Sequence, residues 1–423
     1  MKTIYILGGG TFNHVRNHLS IAAPAFGGTA RQLKEKFDAS LLEQNLQEKY
    51  KTQIVLTKMA DPEHSKLVTN SDVAKFVDQL IADKNTKAII FNIALADFDG
   101  QIDNVASGKY ADRLQTKKGE VTMQLTPSEK IIGRIRKERK DIFVVGFKTT
   151  ANQDSDTQYV RGLELLKKNS LNLVVANDTV TYNNIIIAPE ETRYGESTNR
   201  GDVLNTLVKM VTSRMQNTFT RSTVVEGKSV PWESDMVPQN LRTVVDHCIK
   251  NGAYKPVLGK TAGHFAVKVS SDEILTSIRK TNFNQLNDVG LVRVQSKNKD
   301  EVIAHGFRPS VGGQSQRIVF SEHPELDCIV HFHCPVKPQF KATVVPVKDQ
   351  WPNECGSHEC GQNTSNGLTK VDLGGGDSLK VVYLDEHGPN IVFNKKTDSK
   401  KVIDFIDKHF DLNAKTGGLV MHS

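Results

Sequence analysis

Short apolar runs alternate with amphipathic segments over residues 1–215. The apolar runs are rich in β-branched residues, which favour strands buried in a sheet. The amphipathic segments carry apolar residues at helical spacing, and the first and last of them open on capping residues. This alternation predicts a parallel sheet flanked by helices. The predicted strands are Thr3–Leu7, Ala88–Ile93, Ile142–Gly146, Leu173–Ala176 and Asn184–Ala188, and the predicted helices are Ser71–Ala82, Ser128–Lys137, Thr157–Lys168 and Asp202–Met215.

The pattern changes over residues 216–238, which are polar, contain Pro231 and Pro238, and keep no sustained period. We interpret this stretch as a linker between two domains. Residues 239–423 predict a second α/β domain, because a helical pattern at Asn240–Asn251 is followed by short alternating strands typical of a mostly antiparallel sheet. The first predicted strands of this domain are Ala266–Val269, Leu291–Gln295 and Val302–Ala304.

Composition narrows the functional class. A chain of 423 residues suits two domains. The 55 Lys and Arg residues are interleaved with 48 Asp and Glu residues, so the net charge of +7 fits phosphorylated small molecules better than nucleic acid. No apolar window reaches the roughly 20 residues of a membrane span, and the N-terminus has no signal-peptide pattern. Five cysteines, an odd number, favour free thiols in a reducing compartment, so we expect a cytoplasmic protein.

A glycine stretch, Gly8–Gly10, and Thr11 directly follow the first predicted strand. Glycines there let backbone amides approach a phosphate, although the same stretch also fits a tight turn. Several further motifs follow it in a fixed order. They are His14–Arg16, Phe26–Gly27, Ala94–Asp99, Glu120–Ile132, Phe143–Thr149 and Leu171–Asp178.

This ordered series resembles phosphopantothenate-cysteine ligase over roughly residues 1–210. The resemblance implies a Rossmann-like domain that activates a carboxylate with CTP or ATP and Mg²⁺, then joins the acyl nucleotide to an amine. Ser20 stands where that family has a functional asparagine, and the family's glycine-rich stretch after Asp178 is missing. The resemblance places the nucleotide at Gly9, Gly10, Thr11, Asp97, Ser128, Ile131, Phe147 and Lys168, and the reaction at Ser20 and Lys109.

Several of these residues also fit purely structural roles. Asp97 is placed to cap a strand-to-helix turn, Phe147 to pack in the core, and Lys168 to lie on a solvated helix face. Arg113 and Lys167 are further candidates for the phosphates.

A second signal is His331-x-His333 at the end of a predicted strand, Asp327–Phe332. Side chains two apart on a strand share a face, so both imidazoles point to one side. Two ligands on one face are half of a zinc site, which a third histidine completes. The same pair also fits ordinary buried or exposed histidines without a metal.

The surrounding sequence resembles the class II aldolase and adducin-like family over about residues 240–412. The resemblance implies a homo-oligomer that cleaves, epimerises or dehydrates phosphorylated substrates at a divalent metal, with zinc the expected ion. The family's catalytic glutamate falls on Gly312. The resemblance places the metal at His331, His333 and His387 and the substrate phosphate at Thr261, Gly263 and His264. A lyase without that glutamate needs a base from elsewhere; Asp385 is the candidate, and Glu386, Glu354 and Glu359 are also nearby in sequence.

Cys355, His358 and Cys360 offer another metal site together with Cys334, although their spacing is not that of a known zinc finger.

For the whole chain three hypotheses stay open. The first is a bifunctional enzyme with a ligase centre and a lyase centre. The second is an enzyme in which one domain is inactive and serves as a scaffold or binding module. The third is a binding protein without catalysis.

Overall fold

The computed structural model describes residues 1–418, apart from the side chains of residues 118 and 314. The chain forms two compact units. Unit 1 comprises Met1–Ala188 and Tyr194–Met215, and unit 2 comprises Pro189–Arg193 together with the chain from Gln216 onward. The short segment Pro189–Arg193, here called the inserted segment, therefore belongs to unit 2 although both of its neighbours in sequence belong to unit 1.

Unit 1 contains eleven strands and five helices among its described residues. The strands are β1 (Lys2–Gly10), β2 (Phe12–Arg16), β3 (Leu19–Ala22), β4 (Tyr50–Leu56), β5 (Thr86–Ala94), β6 (Phe98–Ile102), β7 (Met123–Pro127), β8 (Phe143–Thr150), β9 (Leu173–Asp178), β10 (Asn184–Ile187) and β11 (Arg193–Ser197). The helices are α1 (Gly28–Glu43), α2 (Asn70–Ala82), α3 (Ile132–Glu138), α4 (Ser155–Asn169) and α5 (Arg200–Arg214).

Seven of these strands form one sheet in the order β11-β10-β9-β8-β5-β1-β4. Strands β4, β1, β5, β8 and β9 run parallel, and β10 is antiparallel to β9. Two small hairpins, β2-β3 and β6-β7, lie outside this sheet. The carboxyl ends of the parallel strands share one edge, where ligands bind in sheets of this kind.

Unit 2 contains ten strands and five helices among its described residues. The strands are β12 (Arg221–Val225), β13 (His264–Lys268), β14 (Glu273–Ser277), β15 (Leu291–Asn298), β16 (Glu301–His305), β17 (Cys328–His331), β18 (Val347–Lys348), β19 (Thr369–Gly374), β20 (Asp377–Leu384) and β21 (Gly388–Phe393). The helices are α6 (Gln239–Lys250), α7 (Leu286–Val289), α8 (Gly313–Glu322), α9 (His358–Gly367) and α10 (Ser399–His409).

These strands form one mostly antiparallel sheet in the order β12-β16-β15-β14-β13-β17-β21-β20-β18, and β19 pairs with β20. The edge pairs β12-β16 and β18-β20 are parallel. One apolar cluster packs β13, β17 and β21 against α6 and α10, and a second packs the same sheet near α8. The stretch interpreted as a linker includes β12, which joins the edge of this sheet.

The expected fold class is confirmed, since a largely parallel α/β sheet is followed by a mostly antiparallel one. Every predicted strand and helix of residues 1–215 has a counterpart in unit 1. The glycine stretch differs, because β1 continues through Gly10 instead of ending at Leu7. Within residues 1–418, no helix is both long and apolar enough to cross a membrane.

Candidate functional site

Three buried histidines of unit 2 converge on one point. His331 ends β17, His333 follows it two residues later, and His387 directly precedes β21. Their ring centroids are 4.6–5.1 Å apart, and one nitrogen of each ring lies within 4.8 Å of the other two. Their relative exposures are only 1%, 4% and 2%. We call these three residues the histidine centre. They are the same three that the family resemblance implied as metal ligands.

Close backbone packing fixes the position of the histidine centre. Strand β17 lies between β13 and β21, and His331 is opposite His264. Gly263 and Gly388 have φ angles of 102° and 149°. A Cβ atom at Gly263 would lie well under 3.0 Å from the carbonyl oxygen of His331, and one at Gly388 equally close to that of Phe332. Both positions therefore require glycine.

Hydrogen bonds to the outer nitrogens orient two of the rings. The Nδ1 atom of His331 lies 2.7 Å from the carbonyl oxygen of Pro389, and Nδ1 of His387 lies 3.3 Å from Oε1 of Gln350. Because these oxygens only accept hydrogen bonds, each Nδ1 carries the proton and each Nε2 keeps its lone pair.

The two Nε2 atoms of His331 and His387 are 3.2 Å apart. Two lone pairs at that distance repel each other, and a shared cation removes the repulsion. Zinc–nitrogen bonds of about 2.0–2.1 Å in tetrahedral geometry put two ligand nitrogens about 3.3 Å apart. The donor set and its spacing therefore fit a divalent transition metal.

The electrostatics of the histidine centre favour neutral rings. Burial lowers the pKa of His331 well below its ordinary value, and the neighbouring histidines lower it further. Burial likewise lowers the pKa of His264 to about 3. Neutral imidazole is the form that binds a metal, so at neutral pH no proton has to be lost from His331 first.

His264 takes up the space beside Gly312. Its ring lies 4.7 Å from the ring of His331, tilted by 33°, and its Nδ1 atom contacts the side-chain amide of Gln316. A Cβ atom at Gly312 would lie well under 3.0 Å from the His264 ring. Gly312 and His264, the two positions where the sequence departs from the aldolase-like pattern, therefore contact each other.

The other residues proposed for unit 2 have internal contacts. The hydroxyl of Thr261 donates to the carbonyl oxygen of Thr281 at 3.2 Å and accepts from the backbone N–H of Phe283 at 3.2 Å. Gly263 is packed against the strand that carries His331. The carboxylate of Asp385 pairs with Lys341 at 2.7 Å. Thr261 and Asp385 thus hold local structure next to the histidine centre.

The cysteine-containing segment forms no second metal cluster in the described part of the chain, where the histidine centre is the only group of three or more potential ligands within reach of one ion. Cys360 is buried in α9, with Sγ 3.8 Å from Oε1 of Gln350. The imidazole of His358 contacts the hydroxyl of Thr220 at 2.6 Å. This segment therefore leads into helix α9, in which Cys360 is buried.

A carboxylate that the sequence analysis did not single out lies at the histidine centre. Glu191, on the inserted segment, places Oε2 3.7 Å from Nδ1 of His333, and the Glu191 side chain is 1% exposed. The only local signal is a Pro-Glu-Glu run directly after a buried strand. Residues 191 and 333 are far apart in sequence, so no local pattern joins them.

A cavity of about 790 Å³ in unit 1 brings together three of the proposed ligase residues, Ser128, Ile131 and Lys109. The first residues of α2 also line it, but the Thr69/Asp72 capping box already occupies that helix end, and the carboxylates of Asp72, Asp99 and Glu129 belong to the same lining. Ser20 lies next to the cavity, because its hydroxyl is 2.8 Å from Nδ1 of His14, which belongs to the lining.

The glycine stretch itself is closed by its own chain. Gly9 and Gly10 are buried in β1, and a Cβ atom at Gly10 would lie well under 3.0 Å from the carbonyl oxygen of Ala23. The hydroxyl of Thr11 donates to Oδ1 of Asn70 at 2.6 Å. These residues form a packed strand end.

The remaining three nucleotide residues lie outside the described lining of this cavity. Asp97 is exposed and pairs with Lys130 at 2.5 Å, and Phe147 packs against the core of unit 1. Lys168 is exposed in the last turn of α4, which leads to the amino end of β9. Lys168 therefore lies at the edge of the sheet opposite Asp97.

Another cavity, of about 1140 Å³, lies in unit 2. It begins at Lys268, at the opposite end of β13 from His264, and includes Arg317, Asp327 and Glu322. None of the three histidines belongs to its described lining. Cavity volume alone therefore does not locate the histidine centre.

No protein-family model matches this chain, and no curated protein matches it. Among solved structures, 50% of the chain is similar to 99% of the DNA/pantothenate metabolism flavoprotein from Streptococcus pneumoniae, with 16% identity and a TM-score of 0.41. Another 50% match covers 93% of the C-terminal domain of the coenzyme A biosynthesis bifunctional protein CoaBC, with 18% identity and a TM-score of 0.35.

A third solved structure is YgbL from Escherichia coli, named as a candidate aldolase/epimerase/decarboxylase. It matches 40% of this chain over 84% of its own length, with 15% identity and a TM-score of 0.29. The structural neighbours thus include phosphopantothenate-cysteine ligase domains over the first half and an aldolase-like protein over part of the chain.

Proposed function

We propose that the chain is a metabolic enzyme with two centres. Unit 2 binds a divalent metal, zinc in the first instance, at His331, His333 and His387, and it cleaves, epimerises or dehydrates a phosphorylated small molecule. Unit 1 binds a nucleoside triphosphate with Mg²⁺ and acts as an acid–amine ligase. The convergence of three buried imidazoles supports the proposal most strongly.

The histidine centre has the composition of a catalytic site. Three protein ligands leave a fourth position open, whereas structural zinc sites use four protein ligands. A divalent ion held there polarises a carbonyl or phosphoryl oxygen of the substrate. The protein's own contribution is to hold the three rings in fixed tautomers and to exclude water by burial.

The proposal for unit 1 rests on its cavity. A triphosphate has room in about 790 Å³, where the ammonium group of Lys109 favours its negative charge and the carboxylates of Asp72, Asp99 and Glu129 in the same lining favour its Mg²⁺. Ser128 and Ile131 then adjoin the nucleotide. CTP and ATP are both candidates, since neither residue selects between their bases.

The alternative is that unit 1 is a scaffold and that only unit 2 catalyses. The closed end of β1 favours this alternative, because Gly10 lies against the carbonyl oxygen of Ala23 and does not leave open amides there.

The homo-oligomer implied by the sequence resemblance stays a prediction, and light scattering of the purified chain tests it.

Metal content tests the centre in unit 2. We expect the wild-type chain to retain about one divalent ion per chain after purification with zinc, manganese and iron supplied, and His333→Ala to lose it. His64→Ala is the matched control, because its imidazole is 78% exposed and lies in unit 1. Equal occupancy in wild type and His333→Ala, or an empty wild type, contradicts the proposal.

A melting experiment tests unit 1. A ligand that binds only the folded state stabilises it by RT ln(1 + [L]/Kd), so a triphosphate with Mg²⁺ at millimolar concentration should raise the melting temperature. The four ribonucleoside triphosphates serve as one another's controls. If none of them shifts the transition, unit 1 is the scaffold of the alternative.

A further inference from the structure

We infer that Glu191 is a positioning residue of the histidine centre: its carboxylate orients His333, so that a segment from the first half of the chain completes the metal site of unit 2. The inference rests on the proposed function, because it assumes that the centre binds a divalent metal. It adds a residue that neither the motifs nor the resemblances indicate.

The first support is a shared geometry of the three rings. The Nδ1 atoms of His331 and His387 each face an amide oxygen, at 2.7 and 3.3 Å. The Nδ1 atom of His333 faces Oε2 of Glu191 at 3.7 Å. Each imidazole thus presents Nδ1 to an oxygen, and for two of them Nε2 is shown to point inward. Glu191 faces Nδ1 of His333 as the amide oxygens face the other two rings, at a distance of an ion pair and not of a hydrogen bond.

The second support is the chemistry of a carboxylate at this place. Metal-binding histidines commonly donate their other N–H to a carboxylate or a carbonyl, which fixes the ring and raises its basicity. A carboxylate does this more strongly than an amide oxygen because it is charged. A buried carboxylate is costly in a medium of low dielectric constant, and a divalent ion beside His333 offsets that cost.

The third support is the way the inserted segment is held. The hydroxyl of Thr192 donates to the carbonyl oxygen of Glu386, the residue before His387. The carbonyl oxygen of Glu191 lies against Gly417, where a Cβ atom would come well under 3.0 Å from it. The segment is thus fixed by the chain on both sides of the histidine centre.

Thr416, the residue before Gly417, forms hydrogen bonds to two members of the histidine centre. Thr416 donates its backbone N–H to the carbonyl oxygen of His333 at 3.2 Å and its hydroxyl to that of His387 at 3.0 Å. Glu191 itself has φ 64°, a left-handed conformation that a residue other than glycine rarely adopts. Such outliers persist where surrounding contacts impose them, and they are frequent at functional sites.

The test uses the full chain loaded with Co²⁺ as a spectroscopic substitute for zinc. We expect Glu191→Gln to weaken Co²⁺ and Zn²⁺ binding by about 10-fold or more. We also expect its visible cobalt spectrum to change, because the orientation and basicity of one ligand change. Glu226→Gln is the matched control, since it removes an exposed carboxylate of unit 2 just after the edge strand β12 and should leave affinity and spectrum unchanged.

Glu191→Asp separates a role of the charge from a role in packing. It keeps the carboxylate and shortens the side chain, so we expect it to bind metal more tightly than Glu191→Gln does. Equal losses in both variants would mean that only packing matters and would overturn the inference. So would a Glu191→Gln variant with the affinity and spectrum of the wild type. A wild-type chain that takes up no Co²⁺ or Zn²⁺ refutes the proposed metal site itself, which is a different result.

Discussion

The candidate sites of the two units are built in different ways. In unit 2, three side chains that are almost fully buried meet at one point, and packed glycines fix the strands that carry them. In unit 1, only three of the proposed residues line a cavity, and the glycine stretch is packed against its own chain. A centre made of convergent side chains is visible in the protein alone, whereas a site that depends on backbone amides and a flexible ligand has to be shown by binding.

The largest loss in the free energy of unfolding should come from a substitution at Gly388, where the start of β21 lies close to the backbone of Phe332, between two residues of the histidine centre. Gly388→Ala puts a methyl group against the carbonyl oxygen of Phe332 in a left-handed conformation, so we expect a loss of about 3 kcal/mol in the free energy of unfolding. Gly376→Ala is the control, because it has φ 85° and open space around it, and should cost about 1 kcal/mol. Denaturant titrations of both variants compare them, and equal losses would show that the close approach is unimportant.

A substitution at Gly312 should cause a smaller loss in the free energy of unfolding. Gly312→Ala places a methyl group against the ring of His264 and should cost about 2 kcal/mol. In the double variant His264→Ala/Gly312→Ala the clash is gone, so the combined loss should be smaller than the sum by at least about 1 kcal/mol. A thermodynamic cycle from chemical denaturation measures this coupling. Strict additivity would mean that the two positions are independent.

In unit 1 the sharpest structural test is Asp178, at the end of β9. Burial raises the pKa of its carboxyl, but the hydrogen bonds it accepts outweigh burial and hold that pKa below its ordinary value. The donors are the backbone N–H groups of Asn152, Gln153, Val180 and Thr181 and the hydroxyl of Thr150.

The sign of the pH dependence follows from the lowered pKa. The folded state prefers the carboxylate, so the stabilisation is present above the unfolded pKa of about 4 and is lost as the pH falls through the folded pKa. Asp178→Asn should lower the melting temperature at pH 7, and its difference from the wild type should shrink in acid. The exposed Asp112→Asn is the control. A difference that is the same at pH 7 and pH 3 would contradict this account.

The smallest effect should distinguish two lysines of unit 1 that were both proposed as site residues. Lys109 lines the cavity of unit 1, whereas Lys168 lies at the opposite edge of the sheet. We expect Lys109→Ala to weaken triphosphate binding by about 10-fold or less, as for one exposed charge, and Lys168→Ala to leave it unchanged. Titrations followed by melting temperature measure both, and a greater loss for Lys168→Ala would put the nucleotide elsewhere in unit 1.

The strands predicted from the sequence of unit 1 were the apolar, β-branched ones, and those form the middle of the sheet. Seven elements of unit 1 escaped prediction, among them α1 (Gly28–Glu43) and β4 (Tyr50–Leu56). Helix α1 begins after Gly27, which offers no side-chain cap, and its first turn has no acidic residue. Strand β4 lies at the edge of the sheet and is only partly buried, so its sequence is too polar to show a strand pattern.

The site residues that could be predicted were likewise those with a local sequence pattern. His331 and His333 were predictable because a strand puts alternate residues on one face. Glu191 was not, because it meets His333 only through tertiary folding. The proposed phosphate role of Gly10 depended on a loop, but β1 continues through Gly10 by pairing with Ala94 of β5, and the backbone of Ala23 lies against it.

The inserted segment also affects the order in which the chain is assembled on the ribosome. His331 is synthesised roughly 140 residues after Glu191, which at about 5–20 residues per second means a delay of roughly 10 s. Most of unit 1 is complete during that time, while Pro189–Arg193 has no partner strands to join. Separate expression of the halves, divided after Met215, would place Glu191 on a different polypeptide from all three histidines. A gene cut at the apparent domain boundary would therefore yield a second product whose histidine centre lacks the Glu191 side.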